Sequence, residues 1–404
     1  MGSDERRPRA AAAVSAAVLA LSCGVLAGCE SPVAFHRPGE RSPDDPVVGL
    51  GGPAPYLSVP PDAKRTAAQD PPAADGAVPV APAGGRVYAA TGPGMIAPRA
   101  RGLPPRVYVA NGQVIDVIDP AAARVTGRLR AGAAASRVVP SWDLRRLWAV
   151  DRAHGRIVPV GRRGRPVEVA APAGLYFTPD GRDALVPARR PRRIDVRDPR
   201  TMAPRASVPM PCSAGHADFA LGGASLVATC TAAGALARVD LTARRVAGTI
   251  RLPGGARPGD LRLSPDGGVF YVADAAKGGV WLVDARRFAP LGFVPTAPGA
   301  RGLAISRDAR RLFVVGGGTL TAVDFRTRRV VSSWPLPGGG SPVPGGVSSD
   351  GTALWLADPA GLVYAVSTRT GRVVRRVRVG GRPSGLCVHP QPGRYSLGGT
   401  GLYR

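Results

Sequence analysis

The chain is short of aromatic residues and methionine. Aromatic side chains make up 5% of its 404 residues, and it has 4 methionines. The core must therefore be built from Val, Leu, Ala and Ile, a composition that favours many short strands. No stretch of polar helix formers is long enough to indicate a helical bundle or a coiled coil. The length allows one large domain or two of medium size.

Lysine is nearly absent although the chain is strongly basic. The net charge is +26, and only Lys64 and Lys277 among the 54 basic residues are lysines, which leaves 52 arginines. A nucleic-acid surface needs clustered basic residues, whereas these are scattered through turns. Together with 54 Gly and 43 Pro they are typical of a GC-rich genome. We therefore expect no nucleic-acid partner, although a basic surface would assist binding to anionic lipid or cell-wall polymer.

Motifs of several enzyme classes are also missing. The sequence has no G-x-S-x-G elbow, no P-loop and no C-x-x-C-H haem attachment, the usual signatures of hydrolases, nucleotide-binding proteins and c-type electron-transfer proteins. No C-x-x-C or paired His spacing indicates a zinc site. The triple glycines at 316–318 and 338–340 lie between predicted strands, so they are turn glycines rather than phosphate cradles.

The first 29 residues predict a lipoprotein signal. Three arginines at positions 6, 7 and 9 precede the apolar run AAAAVSAAVLALSCGVLAGC, which fits a secretory signal better than a permanent span. The run ends in Leu26-Ala27-Gly28-Cys29, which matches the lipobox of bacterial lipoproteins. We therefore expect residues 1–28 to be a signal peptide and Cys29 to be acylated, for example with palmitate, at the extracytoplasmic face of the cell membrane. Plain secretion with cleavage nearby is the alternative.

Two different regions follow the signal. Residues 29–84 are rich in Pro, Ala, Gly and Asp without an apolar period, so we expect a lipid-anchored, disordered tether. Residues 85–404 carry strand signals and should form the folded domain. In an oxidising compartment Cys212 and Cys230, 18 positions apart, can form a disulfide. The alternative is that these two and Cys387 are small buried thiols.

A pair of apolar strands joined by an Asp or Gly turn recurs six times, at intervals of 37 to 44 residues. LRLSPDGGVFYVA and LAISRDARRLFVV are two copies, and a third and a fourth strand follow each. The turn positions are Asp143, Asp180, Gly222, Asp266, Asp308 and Asp350. Four short antiparallel strands form a β-propeller blade, which needs neighbours on both sides to bury its faces.

The ends of the domain hold parts of one further blade. Leu386 to Pro390 is a lone first strand, and Arg106 to Leu129 supplies the other three strands. We predict that they join into a composite blade that leaves no long exposed edge. The expected fold is therefore an all-β, seven-bladed propeller closed by strands from both ends.

Several of these segments carry a family resemblance. Val107-Tyr108-Val109-Ala110-Asn111, Phe270-Tyr271-Val272-Ala273-Asp274 and the S-P-D-G turns resemble those of YVTN-type seven-bladed β-propellers of secreted bacterial proteins. The stretch from Gly385 to Gly398 is similar to the C-terminus of an actinobacterial lipoprotein branch of that family. The resemblance spans about residues 85–404 and implies the fold, but no established substrate. Relatives have a His where this chain has Gly399.

Propellers usually bind ligands at the axial end where loops between blades converge. Alternate residues before each repeat turn are apolar and should pack between blades, whereas the positions between them hold polar residues that should face the central channel. With two further arginines these residues make up the candidate ligand site: Arg137, Tyr176, His216, Asp218, Asp260, Arg262, Arg301 and Arg382. A ring of ion pairs that plugs the axis is the alternative interpretation.

His216, Asp218 and Asp260 come nearest to an acid/base or metal constellation, because imidazole and carboxylates suit general-base work and divalent cations. A structural histidine is the alternative, and we assign no cofactor. Asp151, Asp274 and Asp358, which follow second strands, are typical turn formers.

The sequence therefore predicts a lipid-anchored, monomeric propeller without catalytic residues. Its expected ligand is a protein or cell-envelope partner, or a small anionic molecule, at one axial face. A propeller enzyme such as a lactonase, with a metal-assisted site in the central funnel, is the alternative. Electron transfer to a bound cofactor is a third hypothesis, for which the sequence has no haem-ligand pattern.

Overall fold

The computed structural model describes residues 87–161 and 165–390, in which about half of the residues lie in β-strands, most of them short. Three short 3₁₀ turns interrupt the strands, at Pro98–Ala100, Thr231–Ala233 and Pro337–Gly339. No helix in these two ranges has the length and apolarity needed to cross a membrane. The predicted signal peptide, acylated Cys29, tether and Gly399 lie outside the described residues.

The strands follow one another in groups of four after an initial group of five. The first five are β1 (Arg106–Asp119), β2 (Arg124–Pro140), β3 (Leu147–Asp151), β4 (Arg156–Pro159) and β5 (Val167–Glu168). The next eight are β6 (Tyr176–Phe177), β7 (Ala184–Ala188), β8 (Arg193–Arg197), β9 (Pro204–Pro209), β10 (Ala217–Phe219), β11 (Ser225–Cys230), β12 (Ala235–Asp240) and β13 (Arg245–Arg251). Eight more are β14 (Pro258–Leu263), β15 (Val269–Asp274), β16 (Gly279–Asp284), β17 (Pro290–Pro295), β18 (Gly302–Ile305), β19 (Arg311–Gly316), β20 (Thr319–Asp324) and β21 (Arg329–Pro335). The last five are β22 (Val343–Val347), β23 (Ala353–Asp358), β24 (Leu362–Ser367), β25 (Val373–Arg378) and β26 (Gly385–His389).

Each group of four consecutive strands from β6 to β25 forms one antiparallel sheet. In all five sheets every strand pairs with the next one in the chain, as in β14-β15-β16-β17. This is the strand order that the sequence repeat predicts for a blade. The first strand of each sheet is buried, and the fourth alternates between exposed and half-buried residues, as in β13 and β21.

The repeat turn has a recurring hydrogen-bond pattern. In the turn at Asp308, the Ser306 hydroxyl donates to the carboxylate at 2.6 Å and accepts the N–H of Arg311 at 2.9 Å. The same carboxylate accepts the N–H of Arg310 at 3.1 Å. A Ser or Thr two residues before the Asp makes the same bond in four further turns, at Asp143, Asp180, Asp266 and Asp350. The repeated S/T-x-D letters are thus a turn that satisfies its own backbone.

The ends of the domain pair in one six-stranded sheet of order β26-β1-β2-β3-β4-β5. β26 lies antiparallel to the start of β1, with Arg106 opposite His389 and Ala110 opposite Gly385. The sequence predicts a separate four-stranded composite blade here, whereas β1 and β2 run on without a break into the next three strands. The register shifts between Gly112 and Val114 on β1, and Gly112 has a φ of 63°, which suits glycine.

The first strands of successive sheets contact one another in the order β10, β14, β18 and β22; β22 then contacts β26, which lies against β2. Hydrogen bonds join the remaining neighbours. Arg137 Nε on β2 donates to the Ala173 carbonyl just before β6 at 3.2 Å, and the Ala217 N–H on β10 donates to the Tyr176 hydroxyl on β6 at 3.1 Å. Successive sheets are therefore neighbours through their first strands.

Apolar side chains fill the spaces between neighbouring sheets. Leu261 and Val272 of one sheet pack in the same cluster as Leu303 and Val314 of the next. The side chains alternate along each strand, so one face of a sheet packs on the sheet before it and the other face on the sheet after it. This explains why a single repeat has no core of its own.

Residues 87–91, the first that the structure describes, cross the edge of the sheets at which the repeat turns lie. Val87 donates its N–H to the Pro265 carbonyl at 3.0 Å, and the buried Tyr88 hydroxyl donates to the Leu263 carbonyl at 3.0 Å. Further along, the buried Thr91 hydroxyl donates to the Arg307 carbonyl at 3.2 Å. This segment thus spans the ends of β14 and β18 at the edge opposite to the site described below.

The predicted disulfide between Cys212 and Cys230 is confirmed. It joins the segment before β10 to the end of β11, with a Cα–Cα distance of 5.6 Å. Both cysteines are buried. Cys387 is also buried, on β26 opposite Tyr108.

Candidate functional site

A cavity of about 610 Å³ lies where the sheets converge, and each of the six sheets contributes to its lining. The lining comes from the starts of first strands and from the residues just after second strands. Because these strands are antiparallel neighbours, those two positions meet at the same edge of a sheet. The polar and charged side chains of the lining are Arg137, Arg152, Arg189, His216, Thr231, Arg257, Asp260, Arg301 and Ser384.

Five arginines dominate the charge of this cavity. They are Arg137, Arg152, Arg189, Arg257 and Arg301, against a single carboxylate, Asp260. None of the five guanidinium groups has a carboxylate oxygen within 4.0 Å among the residues that the structure describes. The cavity is therefore strongly positive, and its charge is not balanced from within.

Three of these arginines lie close enough to repel one another. Burial, together with the positive charges of Arg137 and Arg189, lowers the pKa of Arg152 to about 10. Burial also lowers the pKa of Arg137. The Arg152 Nε is buried and has no hydrogen-bond partner among the described atoms. Like charges gathered in a partly desolvated wall are unfavourable by themselves and would be stabilised by an anion.

Asp260 is held ionised beneath this wall. Its side chain is 3% exposed. Burial raises its pKa, but Arg262 at 2.8 Å, the contact with His216 and the Leu303 N–H together lower the pKa below its ordinary value. The negative charge is therefore already shared with the buried Arg262, and it does not neutralise the five arginines of the lining.

His216 lines the cavity beside the Asp260 carboxylate. Its Nδ1 is 3.4 Å from Asp260 Oδ1, and its side chain is 23% exposed. Burial lowers the pKa of His216 and outweighs the effect of Asp260, so the imidazole is neutral at pH 7. It offers the cavity a neutral polar group between charged ones.

The structure places the predicted site residues at three kinds of position. Arg137, His216, Asp260 and Arg301 line the cavity. Tyr176, Asp218 and Arg262 lie outside the lining and are buried between the sheets. Arg382 is exposed and outside the lining, and its backbone N–H donates to the Asn111 side-chain oxygen at 3.0 Å.

The buried members of the set hold strands together. Asp218 on β10 accepts the N–H of Phe219 at 2.8 Å and the N–H of Leu263, on β14, at 2.9 Å. Arg262 donates to the Leu261 carbonyl at 2.6 Å and to the Leu303 carbonyl, on β18, at 3.3 Å. Burial raises the pKa of Tyr176 to about 12, so its hydroxyl stays neutral. These three side chains act as links between sheets.

The predicted acid/base constellation is only partly assembled. His216 and Asp260 are in contact, whereas the Asp218 carboxylate is directed at backbone N–H groups. Within the described ranges, no group of three or more His, Cys, Asp or Glu residues has the arrangement of a metal site.

Sequence reasoning missed Arg152, Arg189 and Arg257. Arg189, Thr231 and Ala275 come directly after β7, β11 and β15, the second strands of their sheets, and Arg152 comes directly after β3. Asp274 ends β15, and its carboxylate accepts a hydrogen bond from the backbone N–H of Arg257 at 3.0 Å. The sequence repeat could have identified these arginines, because the residue after each second strand lies beside the start of the first strand, where the cavity is.

Comparisons with known proteins identify the fold alone. No family model and no curated protein matches the chain. Among solved structures, hydrazine synthase of Kuenenia stuttgartiensis is 15% identical with a TM-score of 0.56, covering 65% of this chain and 91% of that one. A functionally unknown protein from Desulfotomaculum acetoxidans DSM 771 is 17% identical with a TM-score of 0.60, covering 71% and 99%. The dihydro-heme d1 dehydrogenase NirN in complex with DHE is 16% identical with a TM-score of 0.53, covering 78% and 80%.

These neighbours and the antiparallel sheets agree on one architecture. The chain has an all-β, β-propeller-like fold. Identities this low carry no statement about substrate or activity.

Proposed function

We propose that the protein is a seven-bladed propeller in which the six-stranded sheet comprises two blades. β1 and β2 are 14 and 17 residues long, whereas strands usually have about five or six. Residues 106–110 of β1 pair with β26, and residues 114–119 pair with the first part of β2. The second part of β2 pairs with β3 after a register shift at Ala135. β1 thus supplies two strands of one blade, whereas β2 supplies the last strand of that blade and the first strand of the next.

The function that these observations favour is binding of an anion, either a small molecule or an acidic group of a protein partner, at the axial cavity. The single observation that carries it is the set of five lining arginines without a nearby carboxylate. A guanidinium donates two parallel N–H groups to a carboxylate or a phosphate, which suits recognition of either. The NirN structure, a complex with DHE, is consistent with ligand binding by this kind of fold.

Thermal unfolding of the full chain in detergent tests anion binding. At constant ionic strength, citrate and pyrophosphate should raise the melting temperature above that in chloride, because a ligand of the folded state stabilises it. Arg152→Gln and Arg189→Gln should reduce this shift. Arg376→Gln is the matched control, since Arg376 is exposed on the outer strand β25 and should leave the shift unchanged. Equal shifts in all variants, or none in the parent, would rule out the site.

We also propose that Cys29 anchors the mature protein at the extracytoplasmic face of the membrane. The lipobox supports the anchor, and the Cys212–Cys230 disulfide is typical of oxidising compartments. Cys29→Ser should move the protein from the membrane fraction to the soluble fraction of cells. Unchanged fractionation would argue against lipidation.

A further inference from the structure

The five arginines of the cavity fall into two groups on different sheets. The first group has three members: Arg137 on β2, Arg152 just after β3 and Arg189 just after β7. It therefore spans two adjacent sheets. Arg257 and Arg301 precede β14 and β18 and form the second group. The sheet that begins with β10 lies between the two groups on one side. The β22 sheet and β26 lie between them on the other.

In a ring of seven blades, this arrangement puts the two groups on opposite walls. The walls between them differ in chemistry. On the β10 side His216 and Thr231 offer neutral polar groups. On the other side Pro342, Val343 and Pro344 form an apolar wall.

We infer that the cavity takes a small molecule with two anionic groups at opposite ends of an apolar body. A compact single anion would contact one arginine group and leave the other without a counter-charge. A cavity of about 610 Å³ lies within the usual range of small-molecule sites, roughly 300 to 1,000 Å³. Each anionic end would receive paired N–H donors from arginine, while the body would lie against Pro342, Val343 and Pro344. This inference rests on the proposed anion site and adds the number and spacing of charges.

Isothermal titration of the full chain in detergent, at fixed ionic strength, separates one-ended from two-ended binding. The probes are the dicarboxylates succinate, adipate, suberate and sebacate, each compared with the monocarboxylate of equal carbon number. Hexane-1,6-diol bisphosphate compared with hexyl phosphate distinguishes phosphate from carboxylate ends. The two-charged probe of at least one series should bind at least about tenfold more tightly than its one-charged partner, as expected when a second charge-assisted contact is made.

Variants in the two arginine groups provide the second readout. Arg189→Gln and Arg301→Gln should each lower the affinity for the two-charged probe to that of its one-charged partner, whereas Arg376→Gln should not. Melting temperatures without ligand, close to that of the parent, show that each variant is folded. Equal affinity for one- and two-charged probes would overturn the two-ended ligand but leave the anion site standing. Absence of binding by every probe would overturn both.

Discussion

The Asp260 carboxylate on β14 accepts a hydrogen bond from the Leu303 N–H on β18, at 3.1 Å. It also accepts from the Leu261 N–H at 2.9 Å and lies 2.8 Å from an Arg262 guanidinium nitrogen. One side chain thus joins two sheets and neutralises a buried cation directly beneath the cavity. Asp218 makes the same kind of link from β10 to Leu263 on β14.

Asp260→Asn should destabilise the domain strongly. The substitution removes the negative charge beside Arg262, which is 1% exposed. Loss of one partner of a buried ion pair costs about 3 to 5 kcal/mol of unfolding free energy, measurable by urea denaturation. The control is Asp308→Asn, in a turn where the carboxylate is 38% exposed, which should cost about 1 kcal/mol. Similar losses in the two variants would contradict the role of Asp260.

Stability should fall as the solution is acidified through the range of histidine. Burial lowers the pKa values of both His216 and His389 below 6.5. Between the folded and the unfolded pKa, the unfolded chain binds more protons, so stability rises with pH there and is lost as pH falls. We expect the free energy of unfolding to decrease from pH 7.5 to pH 5. His216→Gln should reduce that decrease, and the double variant with His389→Gln should reduce it further. If the pH dependence of the unfolding free energy were unchanged in both variants, protonation of these histidines would not be its cause.

The disulfide should be a major source of stability. It closes a loop with a sequence separation of 18, and such a cross-link typically contributes about 2 to 4 kcal/mol. The variant with both Cys212→Ala and Cys230→Ala should melt at the temperature of the reduced parent. Reductant should lower the melting temperature of the parent and leave that of the variant unchanged. If both cysteines of the exported protein were alkylated without reductant, they would be free thiols, and the disulfide would be refuted.

Much of the fold could be predicted from the sequence because the repeat is local. In five of the six repeat turns a Ser or Thr stands two residues before an Asp, as Ser306 does before Asp308, so the residues that form the turn's hydrogen bond lie close together in the sequence. Alternation of apolar residues then gives the buried first strands. The run of β1 and β2 through one six-stranded sheet was not predicted, because the Asn111-Gly112 bend keeps strand pairing on both sides.

The site was harder to predict because the alternation of apolar and polar residues shows which face of a strand a side chain occupies, but not how far it lies from the cavity. Arg262 has the correct alternation for the channel, yet it lies within β14, where neighbouring first strands are close enough to bury it. Arg301 lies just before β18, at the edge where the cavity opens. The same edge receives Arg152 and Arg189 from the ends of second strands. Whether a residue reaches the cavity therefore depends on its distance from the start of the strand, and the alternation of apolar and polar residues does not give that distance.

The pairing of β26 with β1 should be essential for the stability of the domain. Truncation after Ser384 removes β26, which exposes the edge of β1 from Arg106 to Ala110 and the apolar side chains that Leu386 and Val388 cover. Such an edge templates aggregation, so this truncation should be insoluble or lose cooperative unfolding. Truncation after Pro390 keeps the strand, and deletion of residues 30–84 leaves all described strands, so both should melt like the parent. A monomeric, equally stable Ser384 truncation would refute closure through β26 and with it the count of seven blades.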